Sequence, residues 1–190
     1  MSHDDGSMFR LLVRRSHGEA RAMAVIEEMS NRLGLIADPG DTILAAVGLV
    51  QTGASPESVS SLMSWNQFED FCARLLKAGG YEVKRNIVIT KPRRQIDIFA
   101  VSSSLALSVD CKHWERGFSY SALQRIAALQ IERTSLYKRK SKLNIPVLPV
   151  ILTLLDAPTR LVGGVPVVPV FALRDFLSFV SPFEEGLQIL

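Results

Sequence analysis

The spacing of apolar residues is helical over the first 80 residues of the chain and changes to a period of two afterwards. Apolar positions that recur every three or four residues predict helices at about residues 18–33, 41–52, 55–63 and 64–78. Ser64 and Gln67 have the spacing of a capping box, and the Gly79-Gly80 pair is a stop signal for the last of these helices.

Alternating apolar and polar residues from Tyr81 onward predict a sheet. Strand-like runs at residues 81–90, 95–101 and 105–112 are followed by a helix at about 121–142, runs at 146–152 and 165–170, and a helix at 173–180. A capping box of Ser121 and Gln124 opens the long helix, and Pro166 and Pro169 predict that the last strand is a sheet edge.

This order of elements predicts the fold class. A mixed sheet covered by helices on both faces is expected from about residue 55 to residue 190, in an α/β domain. Residues 1–54 form a small N-terminal helical appendage in this interpretation.

Composition and charge narrow the class of protein only moderately. The 190 residues are 47% hydrophobic, enough for a real core, and 22 Lys and Arg against 19 Asp and Glu give a net charge of +3. This excess favours polyanionic partners without identifying one. Cys72 and Cys111 lie in apolar segments without metal-ligand spacing, so we expect buried thiols in a reducing compartment. The sequence has no run of about 18 apolar residues, which predicts a cytoplasmic protein with no membrane partner.

The candidate chemistry lies in two neighbouring predicted strands. Asp110 and Lys112 alternate with apolar residues in the third run, so they project from one face of the sheet. Asp97 stands between apolar residues in the second run. If the turn is centred between Ser103 and Ser104, Asp97 and Asp110 lie directly opposite each other, with Cβ atoms about 5 Å apart.

Two carboxylates at that distance repel each other unless a proton or a cation lies between them. Oxygen ligands in small number favour Mg²⁺, with Mn²⁺ as a substitute, as the cofactor. Glu69 lies on the helix stripe that faces the sheet, so it is a candidate third acid, although a partly exposed position at the stripe edge is the alternative. Lys112 would offset charge that develops in the transition state. A structural ion network with Lys112 or Arg94 is the other interpretation of the strand acids.

At these residues the sequence resembles the PD-(D/E)XK nuclease superfamily, and more narrowly its branch of Mrr-like restriction endonucleases and Holliday-junction-resolvase-like proteins. The matching pieces are Trp65-Asn66-Gln67-Phe68-Glu69, Gly80-Tyr81-Glu82-Val83, Gln95-Ile96-Asp97-Ile98, Val109-Asp110-Cys111-Lys112 and Gly164-Val165-Pro166-Val167-Val168-Pro169. The resemblance covers about residues 60–180 and implies a restriction-endonuclease-like fold. Ile96 stands where the proline of the superfamily's name would be, and Asp110 where the branch often has Glu or Gln.

The resemblance also implies an activity and assigns roles to residues. In such families the helix glutamate and the two strand acids hold Mg²⁺, while the lysine assists hydrolysis of a DNA phosphodiester. These roles fall on Glu69, Asp97, Asp110 and Lys112.

Basic residues near these motifs are candidate contacts to DNA phosphates. They are Lys91, Arg93 and Arg94 in the turn before the Asp97 strand, and Lys138, Arg139 and Lys140 at the end of the long helix. For the helix cluster, a solvated end that complements the helix dipole is an equal alternative.

Three further polar or aromatic residues have two interpretations each. Gln130 lies on the inner face of the long helix, where it either contacts DNA or a metal-bound water or is a hydrogen-bonded interior residue. His113 follows the lysine on the other side of the strand, where solvent or packing is favoured over catalysis. Trp114 either stacks on a base or caps the core.

The sequence therefore predicts a Mg²⁺-dependent DNA endonuclease, and a homodimer if it cuts both strands of a duplex or a junction. The alternative from another class is a catalytically inactive DNA-binding or scaffold module that retains the nuclease fold. A third hypothesis, a helix-turn-helix at residues 41–63, lacks a basic recognition face. Fold-level likeness does not choose among duplex, flap, junction, modified DNA or RNA as the substrate.

Overall fold

A computed structural model describes residues 6–37, 41–54, 59, 63–113, 119–154 and 156–190 of the chain. Its helices are α1 (Gly6–Arg15), α2 (Glu19–Leu33), α3 (Thr42–Gln51), α4 (Trp65–Ala78), α5 (Tyr120–Ser141) and α6 (Leu173–Phe179). Its strands are β1 (Glu82–Ile89), β2 (Arg94–Val101), β3 (Ala106–Lys112), β4 (Val147–Thr153), β5 (Leu161–Val162) and β6 (Val165–Pro169).

The strands form one mixed sheet in the order β1-β2-β3-β4-β6-β5. β1, β2 and β3 are antiparallel neighbours, β3, β4 and β6 run parallel, and β5 returns antiparallel to β6. α4 packs on one face of β2 and β3, and α5 packs on the other. The predicted α/β fold, with a mixed sheet between helices, is confirmed. None of the helices in the described ranges is long and apolar enough to cross a membrane.

α4 forms where it was predicted because both of its ends are encoded locally. The Ser64 hydroxyl accepts the backbone N–H of Gln67, and the Gln67 side chain accepts that of Ser64. At the other end Gly80 has a φ of +87°, which glycine adopts without steric cost. The buried face that results is Phe68, Glu69, Phe71, Cys72, Ala73, Leu75 and Leu76. Glu69 is thereby carried into the interior with the apolar stripe.

α5 begins one residue earlier than predicted. The capping box of Ser121 and Gln124 is wrong, because the helix starts at Tyr120 and Ser119 is its N-cap, accepting the backbone N–H of Ala122. Two serines two positions apart are equally good N-cap residues, so local propensity did not separate them. The buried face of the helix is Leu123, Ala127, Gln130 and Thr134.

The N-terminal helices are packed into the main body of the protein. One continuous hydrophobic core joins α1, α2 and α3 to α4 and to the sheet. Arg174 of α6 also donates to the backbone carbonyl of Asn31 at the end of α2. Residues 43–49 of α3 are all buried, so this helix presents no face to DNA. The helix-turn-helix hypothesis is therefore wrong for α3. Separately, α1 is a helix that was not predicted.

Some predictions fall partly or wholly outside the described residues. Of the short helix predicted at residues 55–63, the structure describes only Val59 and Met63, which are both buried. Trp114 lies outside the described residues. The division of the chain between residues 54 and 55 stays a prediction.

The last strand is not the edge of the sheet, contrary to the prediction from Pro166 and Pro169. β6 lies between β4 and the two-residue strand β5, with which it forms a tight hairpin. The turn uses Gly163 and Gly164 at φ values of +56° and +78°. A two-residue strand carries no periodic signal, which is why the hairpin partner was missed.

Candidate active site

β2 and β3 bring Asp97 and Asp110 opposite each other. Their antiparallel ladder has the predicted register over four residue pairs and ends at Ile98 and Val109. Continued by one pair, this register places Asp97 across from Asp110. At that point the Asp97 Oδ2 accepts the backbone N–H of Cys111 at 2.9 Å. Both carboxylates therefore lie where regular pairing of the two strands stops.

Asp110 is held between two cations. Its side chain is only 1% exposed, and its Oδ2 lies 2.8 Å from the ammonium of Lys112. Its Oδ1 accepts from the guanidinium of Arg133 at 3.0 Å, and Arg133 also donates to the carbonyl of Gln95 on β2. A buried carboxylate is tolerated when cations pair with it, and here each carboxylate oxygen has one such partner.

The pKa of Asp97 is raised from 3.8 to about 6. Burial is the main cause, because a poorly solvated site disfavours the charged carboxylate. The negative charge of Asp110, and to a smaller extent that of Glu69, raises it further, against the lowering effects of the Cys111 N–H and of Lys112. The three acids are therefore electrostatically coupled, which is a condition that a bound cation relieves.

This raised pKa predicts how the metal-free protein responds to pH. Between about pH 4 and pH 6 the folded protein holds the Asp97 proton and the unfolded chain does not, so stability falls as pH rises through this window. We expect Asp97→Asn to lose less stability over the same range in urea unfolding with a chelator present. Equal pH slopes for the parent and the variant would contradict the raised pKa.

Glu69 reaches the same end of the sheet from α4. It is only 3% exposed, and its Oε1 accepts the indole N–H of Trp65 from the preceding turn. Its Oε2 lies 3.8 Å from the guanidinium of Arg85 on β1. The Trp65 ring in turn lies 5.4 Å from the Lys112 ammonium. The structure thus gathers all four residues predicted for the catalytic centre at one end of the sheet.

The donor set fits a hard divalent cation with two protein ligands better than with three. Every candidate ligand is a carboxylate oxygen, and the buried Asp110 Oδ2 has, besides its ion pair with Lys112, no hydrogen-bond partner among the described residues. In the described part of the chain, however, no three His, Cys, Asp or Glu side chains lie close enough to hold an ion together. The predicted three-acid set is not preformed, because Glu69 is engaged by Trp65 and Arg85. Mg²⁺ is usually held by one or two carboxylates and several waters, so Asp97 and Asp110 are sufficient.

Gln130 lies in the interior between α5 and β3, which contradicts the predicted contact with DNA. The residue is 0% exposed. Its side-chain amide donates to the carbonyl and the hydroxyl of Ser108 at 2.7 and 3.2 Å. α5 lies against β3 at this point, so the inner face of the helix is covered by the strand. The alternative, an interior hydrogen-bonded glutamine, is confirmed.

The two predicted basic clusters meet at the turn between β1 and β2. Lys91 and Arg93 are exposed in that turn, and Arg139 and Lys140 are exposed at the end of α5. The Lys140 ammonium donates to the backbone carbonyls of Thr90 and Lys91. These four basic residues therefore form one exposed surface that was predicted as two.

The other two basic candidates have intramolecular partners. Arg94 donates to the carboxylate of Glu132 on α5 at 2.8 Å. Lys138 is partly buried and donates to the carbonyl of Leu190. Contact with DNA phosphates would require each to exchange such a partner, as it would for Lys140, and both are less exposed than Lys91, Arg93 and Arg139.

Two side chains at the end of β3, Cys111 and His113, face α4 and pack against it. Cys72 and Cys111 are buried free thiols, as expected, and burial together with the nearby Cys72 raises the pKa of Cys111. The His113 ring lies 5.8 Å from that of Phe68, which confirms the packing interpretation of the histidine. These residues form the packed layer between α4 and β3, next to the strand that carries Asp110 and Lys112.

Sequence reasoning missed the partners of the acids. Arg133 lies three residues after Gln130 and so shares its helix face, which was the available signal. Arg85 stands between Lys84 and Asn86 in β1, and nothing in that pattern points to Glu69 or Asp70, to which it is ion-paired. Trp65 was noted as part of a matching motif, and the contact of its polar N–H with Glu69 was not predicted.

A cleft of about 740 Å³ is lined in part by Arg85, the ion-pair partner of Glu69. Its lining includes Asp41, Asn66, Asp70, Arg74, Arg85 and Asn86. Arg74 pairs with Asp41 and Arg85 with Asp70, so the charges of the cleft are balanced internally. The two strand acids and Lys112 are not part of its lining, and we therefore place the chemistry at the strand ends.

A comparison with known families finds a match to this part of the chain. Residues 60–136 match the Mrr catalytic-domain family model, described as a restriction endonuclease. The matched segment contains Glu69, Asp97, Asp110, Lys112 and Arg133. The predicted resemblance is confirmed for this segment, and the fold is consistent with it. No curated protein and no solved structure matches the chain.

Proposed function

We propose that this chain, which carries a restriction-endonuclease segment at residues 60–136, is a metal-dependent endonuclease that hydrolyses phosphodiester bonds of DNA. The observation that carries the proposal is the pair of buried carboxylates, Asp97 and Asp110, opposed across β2 and β3 with Lys112 ion-paired beside them. Opposed buried acids are unfavourable in a purely structural role.

Each side chain of the site has a separate role in the proposed reaction. Asp97 and Asp110 would hold a divalent cation, Mg²⁺ or Mn²⁺, which when bound lowers the pKa of water and stabilises charge on a phosphate. Lys112 places an ammonium next to Asp110, where it can donate to a phosphate oxygen or to the attacking water. Arg133 keeps Asp110 in place through one carboxylate oxygen. Glu69 adds a third negative charge nearby.

Support for DNA as the substrate comes from the exposed basic surface. Lys91, Arg93, Arg139 and Lys140 lie together on the side of the sheet from which β2 leads to Asp97. Clustered exposed cations attract the phosphate backbone without regard to sequence. Cutting both strands of a duplex would require two sites, so a homodimer is part of the proposal.

A second candidate, an inactive DNA-binding or scaffold module, is favoured by one observation. Glu69 does not join Asp97 and Asp110 as a third ligand, and the described residues hold no preformed group of three. Such a module would bind DNA through the basic surface without hydrolysis.

Cleavage assays on a panel of labelled nucleic acids separate these candidates. Single strands, duplex, flap and four-way-junction DNA, and a matched RNA duplex, are incubated with Mg²⁺, with Mn²⁺ and with chelator. We expect Mg²⁺- and Mn²⁺-dependent cuts in at least one DNA and none with chelator, because the two carboxylates need the cation to act. Equal cleavage with chelator would contradict metal dependence, and DNA binding without any cleavage would establish the inactive module.

A further inference from the structure

Trp65 has an unusual environment for a large aromatic side chain. It is the first residue of α4 and is 38% exposed, although the neighbouring positions of its stripe are fully buried. Its indole has contacts with two groups of the candidate active site, Glu69 on its own helix and Lys112 on β3. Hydrophobic burial therefore does not account for its position.

The first contact fixes Glu69. Residues four apart on a helix lie on the same side, so the Trp65 N–H can reach the carboxylate without distortion of the backbone. A carboxylate that is 3% exposed needs hydrogen-bond donors. The guanidinium of Arg85 lies 3.8 Å away, which is too long for a hydrogen bond. The indole N–H is thus the donor that selects the orientation of this carboxylate.

The second contact limits the movement of Lys112. Its ammonium lies 2.8 Å from the Asp110 carboxylate and over the Trp65 ring, whose centre is 5.4 Å away. That distance is within the range at which an aromatic face attracts a cation. Lysine is a flexible side chain with four methylene groups, so two attractive neighbours restrict where its charge lies.

We propose that Trp65 is a positioning residue that couples the helix acid to the strand lysine of the nuclease site. One rigid side chain sets the orientation of Glu69 through its N–H and the location of the Lys112 charge through its ring. Trp65 does not itself touch the reacting atoms. The inference rests on the proposed function for its kinetic consequences, but the two contacts exist without metal or DNA.

Two substitutions separate the two contacts. Trp65→Phe keeps an aromatic face for Lys112 and removes the N–H donor, whereas Trp65→Leu removes both. We expect Trp65→Phe to tighten Mg²⁺ binding in calorimetry about three- to tenfold, the size of one hydrogen bond, because Glu69 is released from the donor that holds it apart from Asp97 and Asp110. At saturating Mg²⁺, Trp65→Leu should have a lower kcat than Trp65→Phe, with KM for DNA unchanged in both.

A spectroscopic measurement tests the first contact without activity. The chain has two tryptophans, Trp65 and Trp114, so the Trp114→Phe protein reports on Trp65 alone. We expect its indole emission to shift when Glu69→Gln is added, because the charged acceptor is lost, and to change on titration with Mg²⁺. An emission spectrum that is the same with and without the Glu69→Gln substitution would overturn the inference.

Tyr120→Leu is the matched control, since Tyr120 is also an exposed aromatic at the first position of a helix. It should leave Mg²⁺ affinity and kcat at parental values, and thermal unfolding checks that each variant is folded.

If the parent cleaves DNA and Trp65→Phe matches it in Mg²⁺ affinity and kcat, the positioning role is refuted while the proposed function stands. If the parent neither binds Mg²⁺ nor cleaves, the proposed function fails, and the emission experiment still decides the contact. If Trp65→Leu does not fold, Trp65→Phe decides the outcome.

Discussion

Replacing Asp97 with asparagine is expected to reduce Mg²⁺-dependent DNA cleavage at least about a thousandfold, because one of the two carboxylates that would hold the cation is lost and cation stabilisation is worth several kcal/mol. The fold should be retained. The asparagine amide oxygen can still accept the Cys111 N–H, and a buried carboxylate with a raised pKa is removed. Stability of the metal-free protein at pH 7 is therefore expected to be unchanged or higher. Single-turnover cleavage of labelled DNA and urea unfolding measure the two effects.

Asp156→Asn is the matched control for this substitution. Asp156 is an exposed acid that is ion-paired with Arg160 on the surface. The control variant should cleave at the parental rate. Cleavage at the parental rate by Asp97→Asn would contradict the proposed active site. If Asp97→Asn loses both cleavage and the folded state, the opposing acid is tested instead with Asp110→Asn.

Replacing Lys112 with methionine is expected to lower kcat about a hundred- to a thousandfold, the usual effect of removing one donor that stabilises transition-state charge. Folding should persist, since Asp110 keeps its ion pair with Arg133 and methionine has nearly the length of the lysine stem. Mg²⁺ binding is expected to be retained or tighter, because a positive charge next to Asp110 is removed. Cleavage kinetics and calorimetry on the same preparation test this combination.

Lys84→Met is a control on an exposed lysine of β1. It should change neither kcat nor Mg²⁺ affinity. A Lys112→Met protein that loses Mg²⁺ binding in proportion to kcat would show that the lysine acts on the metal site, contrary to the role proposed here. An unchanged kcat would show that it takes no part in the reaction.

The opposition of the strand acids could be predicted because it depends on local information. Alternation in two adjacent runs places Asp97, Asp110 and Lys112 on one face, and the Ser102 to Leu105 turn sets the register. The interior position of Glu69 followed in the same way from the helix stripe, whose start and stop are encoded by Ser64 and the Gly79-Gly80 pair.

What each buried polar group contacts could not be predicted. The stripe of α4 indicates that Glu69 faces inward, but the rotation of the helix and the position of β1 decide that Trp65 and Arg85 are its partners. The same applies to Gln130, whose inward direction was evident but whose partner, Ser108, depends on how α5 lies across β3. Arg133 was overlooked for that reason, although it holds Asp110.

The sequence by itself determined most of the helices and strands, the register of β2 against β3 and the opposition of Asp97 and Asp110, because periodicity, caps and turns act over a few neighbouring residues. Only the tertiary structure decided that the N-terminal helices share the core, that the two basic clusters meet, and that Glu69 is engaged by Trp65. These facts depend on how preformed helices dock on the sheet, which is a balance of many weak contacts between residues distant in the chain.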